Sequence, residues 1–114
     1  MKILFTTSGK VLNSPLEPRF GRSPGFLVYD LDNGTFEAVE NTNINAAQGA
    51  GIQTAQTVVR LGAKALVTGH CGPKAFRVLQ AAGISIFYTA AATVAEALAQ
   101  YREGRLEPAQ AANK

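Results

Sequence analysis

The sequence predicts one α/β domain, a mixed five-stranded sheet of spatial order 3-2-1-4-5 with strand 2 antiparallel and three covering helices. Three observations carry this. Short apolar runs rich in β-branched and aromatic residues recur along the chain. Beyond Glu40 they alternate with stretches whose apolar residues repeat at helical spacing. An Asn33-Gly34 pair joins two of the early runs, the strongest short hairpin signal.

The elements follow in order. Lys2 to Thr7 is an apolar run ending in threonines and reads as a buried strand. Residues 8–24, rich in Gly, Pro and Ser, form a loop long enough to suggest function. Gly25 to Leu31 is the second strand and Thr35 to Glu40 its antiparallel return. Asn45 with Gln48 resembles a helix N-cap with its box. Ile52, Ala55 and Val59 mark that helix's apolar face, and Gly62 stands where a C′ glycine belongs. Lys64 to Thr68 is the fourth strand. Pro73 opens the second helix, Ala75, Val78, Leu79 and Ala82 form its inner face, and Gly83 ends it. Ile84 to Tyr88 is the fifth strand. Thr93 and Glu96 box the start of the last helix, whose face is Val94, Ala97, Leu98 and Tyr101, and Gly104 stops it. The domain therefore spans residues 1–104, and the Ala-rich polar segment 105–114 is expected to be a flexible tail. Right-handed crossovers and a hairpin at one edge give the strand order.

Composition narrows the function classes. A chain of 114 residues fits one domain, and 46% hydrophobic content argues against disorder. No apolar run approaches the length of a membrane span, and the apolar stretch in residues 3–5 is too short for a signal peptide. The single cysteine agrees with a reducing compartment, so a cytoplasmic location is expected. The net charge of +3 is mild, but no acidic residue lies between Glu40 and Glu96, while Arg60, Lys64, Lys74 and Arg77 do. That distribution suits either ordinary solvated charge or a surface for a small anion. No Lys/Arg run with interleaved aromatics occurs, so nucleic acid is not an expected partner.

Open α/β sheets bind ligands at the carboxyl ends of their strands, where the strand order switches. The loop after Thr7, the turn after Thr68, the segment Thr89–Ala92 and the end of strand 3 should all meet there. Three helix N-termini should point free N–H groups at this end, with Lys10, Arg19, Arg22 and Lys74 in reach. The densest chemistry is His70-Cys71-Gly72-Pro73-Lys74. Just before a helix start and beside His70 and Lys74, Cys71 reads either as an accessible low-pKa thiolate or as a small buried residue under a turn. His70 reads more readily as a hydrogen-bonded turn histidine than as a ligand. With one Cys and one His, a closed four-ligand zinc site within one chain is not expected. His70-Cys71 followed by Arg77 also matches the cysteine-phosphatase pattern, with Glu17 as the acid that could reach. Pro73 removes one donor from the N–H cradle that this chemistry needs. Gly49-Ala50-Gly51 lacks the preceding strand and third glycine of a dinucleotide fingerprint and instead permits close approach of the sheet or a ligand.

Arg19-Phe20-Gly21-Arg22-Ser23, Phe26-Leu27-Val28-Tyr29-Asp30, Gly49-Ala50-Gly51, Val67-Thr68-Gly69 and Gly72-Pro73-Lys74-Ala75-Phe76 together resemble the dinitrogenase iron–molybdenum cofactor biosynthesis family, from Met1 to about Gly104. The resemblance implies a ribonuclease H-like fold without nuclease activity, since Lys2 to Thr7 carries no carboxylate. It also implies a protein that binds, carries or helps assemble an anionic metal–sulfur cluster of the molybdenum–copper sulfide or iron–molybdenum type. Small single-domain members from sulfate reducers are the nearest in kind, and they hold the cluster non-covalently. A client or donor protein for cluster transfer would be the protein partner. The expected cluster-binding residues are Ser8, Lys10, Arg19, Phe20, Gly21, Arg22, Ser23, Gly49, Gly51, Gly69, His70, Cys71, Gly72, Pro73 and Lys74. Cys71 is a candidate metal ligand that such a cluster does not require. No catalytic residue is expected; the alternative is a phosphatase or sulfurtransferase using Cys71.

Overall fold

Residues 1–42 and 49–113 are described by the structure, a computed structural model. The Asn45–Gln48 cap lies outside them. Strand β1 (Lys2–Thr7) is buried except for Lys2 and stands at the centre. It pairs antiparallel with β2 (Gly25–Asp30), which pairs antiparallel with β3 (Phe36–Glu40). On its other side β1 runs parallel to β4 (Ala65–Thr68), and β4 parallel to β5 (Ser85–Tyr88). The order β3-β2-β1-β4-β5 is the one the sequence predicts.

Alternation along the strands divides the core between two faces. Leu4, Phe26, Val28, Leu66 and Ile86 pack against helices α1 (Ala50–Arg60) and α2 (Pro73–Ala81). Ile3, Phe5, Leu27, Val67 and Phe87 pack against α3 (Val94–Arg102). Both faces are covered, which is why β1 and β4 read as continuous apolar runs.

Several local expectations are corrected. The hairpin forms where expected, with β2 shortened to Gly25–Asp30 and a loop longer than an Asn-Gly pair. Asp30 N–H donates to Thr35 O at 2.8 Å and Gly34 N–H to Asp30 O at 2.9 Å, so the loop runs from Leu31 to Gly34. Of that loop only Gly34 takes a positive φ (74°), whereas a type I′ turn would need one at Asn33 too. In α1 the buried face is Ala50, Thr54, Ala55 and Val58; Val59 is 39% exposed and Ile52 only half-buried. Thr54 can face inward because Asn41 Nδ2, itself buried, donates to its hydroxyl at 3.1 Å and to Ser23 O at 2.9 Å. In α2 the bulky inner residue is Phe76, while Ala82 is exposed. The capping box of α3 forms in part: Thr93 Oγ1 accepts Glu96 N–H at 3.1 Å, but Glu96 Oε2 accepts the N–H of Ala92 rather than of Thr93.

The loop 8–24 straddles the end of the sheet. Its first half crosses to the α3 face, where Leu16 is buried and Pro15 bridges Thr93. The second half crosses to the α1/α2 face and buries Phe20, in a 3₁₀ turn at Phe20–Arg22. Two threonines at the end of β1 fasten it: Thr6 Oγ1 donates to Glu17 O at 2.6 Å, and Thr7 Oγ1 to Pro15 O at 2.7 Å. Residues 105–113, expected from the sequence to fray, lie along the outer edge of β5. Ala109 N–H donates to Ile86 O at 2.7 Å and Tyr88 Oη–H to Ala111 O at 3.0 Å.

Candidate functional site

The turn after β4 is the hub of the site. His70 N–H donates to Pro18 O at 2.6 Å, and Phe20 N–H to His70 O at 3.1 Å. Loop and turn thus pair as a short parallel ladder through Arg19 and His70. Gly69 makes this approach possible: a Cβ there would stand 2.8 Å from the Pro18 Cα. A second backbone contact completes the frame. A Cβ on Gly21 would sit 3.1 Å from Gly51 Cα, so the 3₁₀ turn rests directly on the first turn of α1.

These contacts enclose a cavity of about 440 Å³ between the 3₁₀ turn and the N-termini of α1 and α2. Its walls are apolar: Phe20, Ala50, Ile52, Pro73 and Ala75. Cations and an imidazole stand at its rim: Arg19, Arg22, Lys74 and His70, all exposed. No carboxylate lines it among the described residues, although Glu17 Oε2 lies 3.4 Å from Arg19 Nε. Among the described residues neither α1 nor α2 has a side-chain N-cap. The first N–H of α1 to find an acceptor outside the helix is that of Gln53, on Gly49 O; in α2 it is that of Phe76, on Gly72 O. The N–H groups ahead of them point to the cavity end, and with the two helix dipoles they favour an anion.

Of the residues expected from sequence, Arg19, Phe20, Gly21, Arg22, Gly49, Gly51, His70, Gly72, Pro73 and Lys74 line this one cavity. Gly69 and Ser23 support it from beneath, Ser23 Oγ donating to Gly25 O at 2.6 Å. Ser8 and Lys10 lie elsewhere, in a separate hollow of about 360 Å³ beside Thr7 and Glu40. The third helix N-terminus is elsewhere too. Val94 N–H donates to Ser14 O at 3.0 Å and Ala95 N–H to Leu12 O at 2.8 Å, on the opposite face of the sheet. The expected convergence of three N-termini is therefore a convergence of two. Ala50, Ile52 and Ala75 are cavity walls that sequence reasoning assigned to helix packing or left unassigned; their place within one turn of a helix start was the available signal.

Cys71 does not line the cavity. It is 1% exposed, in the core with Leu66, Ala75 and Phe76. Burial pushes its thiol up to about 12, and Sγ–H points to Gly72 O at 3.7 Å. The accessible-thiolate reading is thus corrected to the buried one: desolvation outweighs the field of the nearby helix start. Because α2 begins at Pro73, residues 73–77 are helical, with Arg77 exposed on the helix, and the Cys71–Arg77 segment forms no open phosphate cradle. Among the described residues no group of three or more His, Cys, Asp or Glu is placed to hold a metal ion. The groups offered to a ligand are N–H donors, cations, one imidazole and apolar surface, so a metal centre here must bring most of its own ligands.

Comparison with known proteins agrees with this frame. The family model described as "Dinitrogenase iron-molybdenum cofactor" matches residues 1–104. The apo form of the orange protein from Desulfovibrio gigas is 39% identical, over 99% of this chain and 96% of that one, with a TM-score of 0.96. A NifB-type protein from Thermotoga is 35% identical over 99% and 97% of the two chains, with a TM-score of 0.86. An uncharacterised protein of Methanocaldococcus jannaschii is 32% identical over 98 residues, 83% of each chain.

Proposed function

The chain belongs to the dinitrogenase iron–molybdenum cofactor family, and from that premise we propose that it binds and carries an anionic metal–sulfur cluster, or helps assemble one, in the cavity between the 3₁₀ turn, α1 and α2. The single observation that carries this reading is the cavity itself. Two uncapped helix N-termini and three cations face one apolar hollow of about 440 Å³ with no carboxylate in its wall among the described residues. A cluster whose metals are already coordinated by inorganic sulfide suits such walls. Its negative charge meets the N–H groups and cations, and its weakly hydrated sulfide surface lies on Phe20, Ile52 and Ala75. A molybdenum–copper sulfide cluster is our first choice and an iron–molybdenum–sulfur cluster the second, both held without covalent attachment and passed to or from a client protein. We group the fold with the ribonuclease H-like sheets on the strength of its strand order.

A nucleophilic Cys71, as phosphatase or sulfurtransferase, draws no support from the geometry. The thiol is buried and protonated, and the helix begins too early. The deciding experiment mixes the apo protein with tetrathiomolybdate and a cuprous salt, then separates by gel filtration. A coloured complex eluting with the protein is expected. Colour confined to the small-molecule fraction overturns the reading.

A further inference from the structure

We propose that Asn113, near the C-terminal end and outside the cavity, is a positioning residue that clamps the Gly69–Gly72 turn and thereby sets the geometry of the cavity's N–H and cation array. This rests on the reading of the cavity as the cluster site. The Asn113 carboxamide is used at both ends. Oδ1 accepts Cys71 N–H at 2.8 Å, and Nδ2 donates to Gly69 O at 2.9 Å. The Asn113 main-chain N–H adds a third bond, to Cys71 O at 3.2 Å. Only a side chain with a donor and an acceptor on one short stem meets both partners: Asp lacks the donor, and Gln adds a methylene.

The turn is held from its other side by the cationic loop, through Pro18 O and Phe20 N–H. It is therefore a backbone sheet of contacts with Asn113 on one flank and Arg19–Phe20 on the other. It leads directly into Gly72 and Pro73, where α2 presents its open N–H groups. A shift of the turn moves the Arg19 rim and the α2 start together. The clamp itself is anchored by the tail: Ala109 and Ala112 pack on the core beside α1 and α2, and Tyr88 Oη–H and Ile86 O hold the backbone at Ala111 and Ala109. The tail also covers the β5 edge, which would otherwise present unpaired backbone groups.

The test uses the full-length protein and two readouts. The first is the rate at which a thiol reagent labels Cys71, which the clamped turn keeps buried; it needs no cluster. The second is retention of the tetrathiomolybdate–copper chromophore, together with its induced visible circular dichroism per bound chromophore. A substitution that merely lowers stability leaves that signature unchanged. Asn113→Ala should label about tenfold faster, retain several-fold less chromophore and alter the dichroism. Asn113→Asp, which keeps the acceptor for Cys71 N–H, should fall between wild type and alanine. Gln110→Ala, exposed on the same segment, should match wild type in both readouts. Wild-type labelling by Asn113→Ala overturns the clamp whether or not the chromophore binds. Faster labelling with wild-type retention and dichroism overturns the positioning role. Failure of wild type to hold any chromophore, by contrast, strikes the cluster reading, and the labelling rates then still decide the clamp.

Discussion

Cys71 illustrates how a residue can sit in a segment that lines the cavity and yet support it from below. Its neighbours His70, Gly72 and Lys74 reach the cavity, whereas its own side chain enters the core and its backbone is held by Asn113. Cys71→Ser should therefore retain the tetrathiomolybdate–copper chromophore with altered affinity, and lose about 1 kcal/mol of stability by urea denaturation from burying a hydroxyl. A colourless Cys71→Ser protein, under conditions where wild type is coloured, would show the thiol to be a required ligand. The arginines behave in the opposite way. Arg19 and Arg22 are exposed at the rim, so Arg22→Ala should weaken chromophore retention several-fold while shifting the melting temperature by no more than about 2 °C. Unchanged retention by the Arg19→Ala/Arg22→Ala double variant would move the site elsewhere.

Helix starts divide into two kinds here. Among the described residues those of α1 and α2 have no side-chain cap, and they face the cavity; that of α3 is capped by Thr93 and closed by the carbonyls of Leu12 and Ser14. Thr93→Ala should thus cost about 1 kcal/mol in denaturant unfolding and leave chromophore retention unchanged. Lost retention would bring α3 back into the site. The loop-to-turn ladder is the other element on which the cavity depends. Gly69→Ala drives a Cβ to 2.8 Å from Pro18 backbone, which can yield only by parting the loop from the turn. The expected cost is about 2–3 kcal/mol, with chromophore retention falling alongside, as overpacking and a displaced rim act together. Stability equal to wild type in a urea titration would contradict the ladder.

The molecule as a whole carries a buried thiol and a half-buried phenol side by side, and both are raised. Cys71 rises from 9.0 to about 12 through burial, and Tyr88 from 10.0 to about 12 through burial first and the neighbouring Cys71 second. A raised folded-state value means that the unfolded chain loses its proton first. Stability from these groups is full below about pH 9 and falls as pH climbs through 9 to 12. Urea midpoints measured over that window should drop, and the drop should shrink in Cys71→Ala; an equally steep fall in that variant would assign the loss to other groups. The sheet order, the helices and the three segments that build the cavity were legible in the sequence. Period-2 and helical patterns, glycine stops and the rule of carboxyl-end binding act on residues close in the chain or on the order of elements, and residues 19–23, 49–51 and 70–74 stand out through these together with the family resemblance of their motifs. Four other features were settled by tertiary structure: the burial of Cys71, the separation of Ser8 and Lys10 from the cavity, the passage of α3 to the opposite face, and the grip of Asn113 on the turn. Three of the four, all but the placement of Ser8 and Lys10, go with contacts between distant parts of the chain — Pro18 with His70, Ser14 with Val94, Cys71 with Asn113 — made by one or two hydrogen bonds. Such bonds leave no periodicity in the sequence, because neither partner is constrained by its neighbours along the chain but only by where the packed sheet and helices bring the two together.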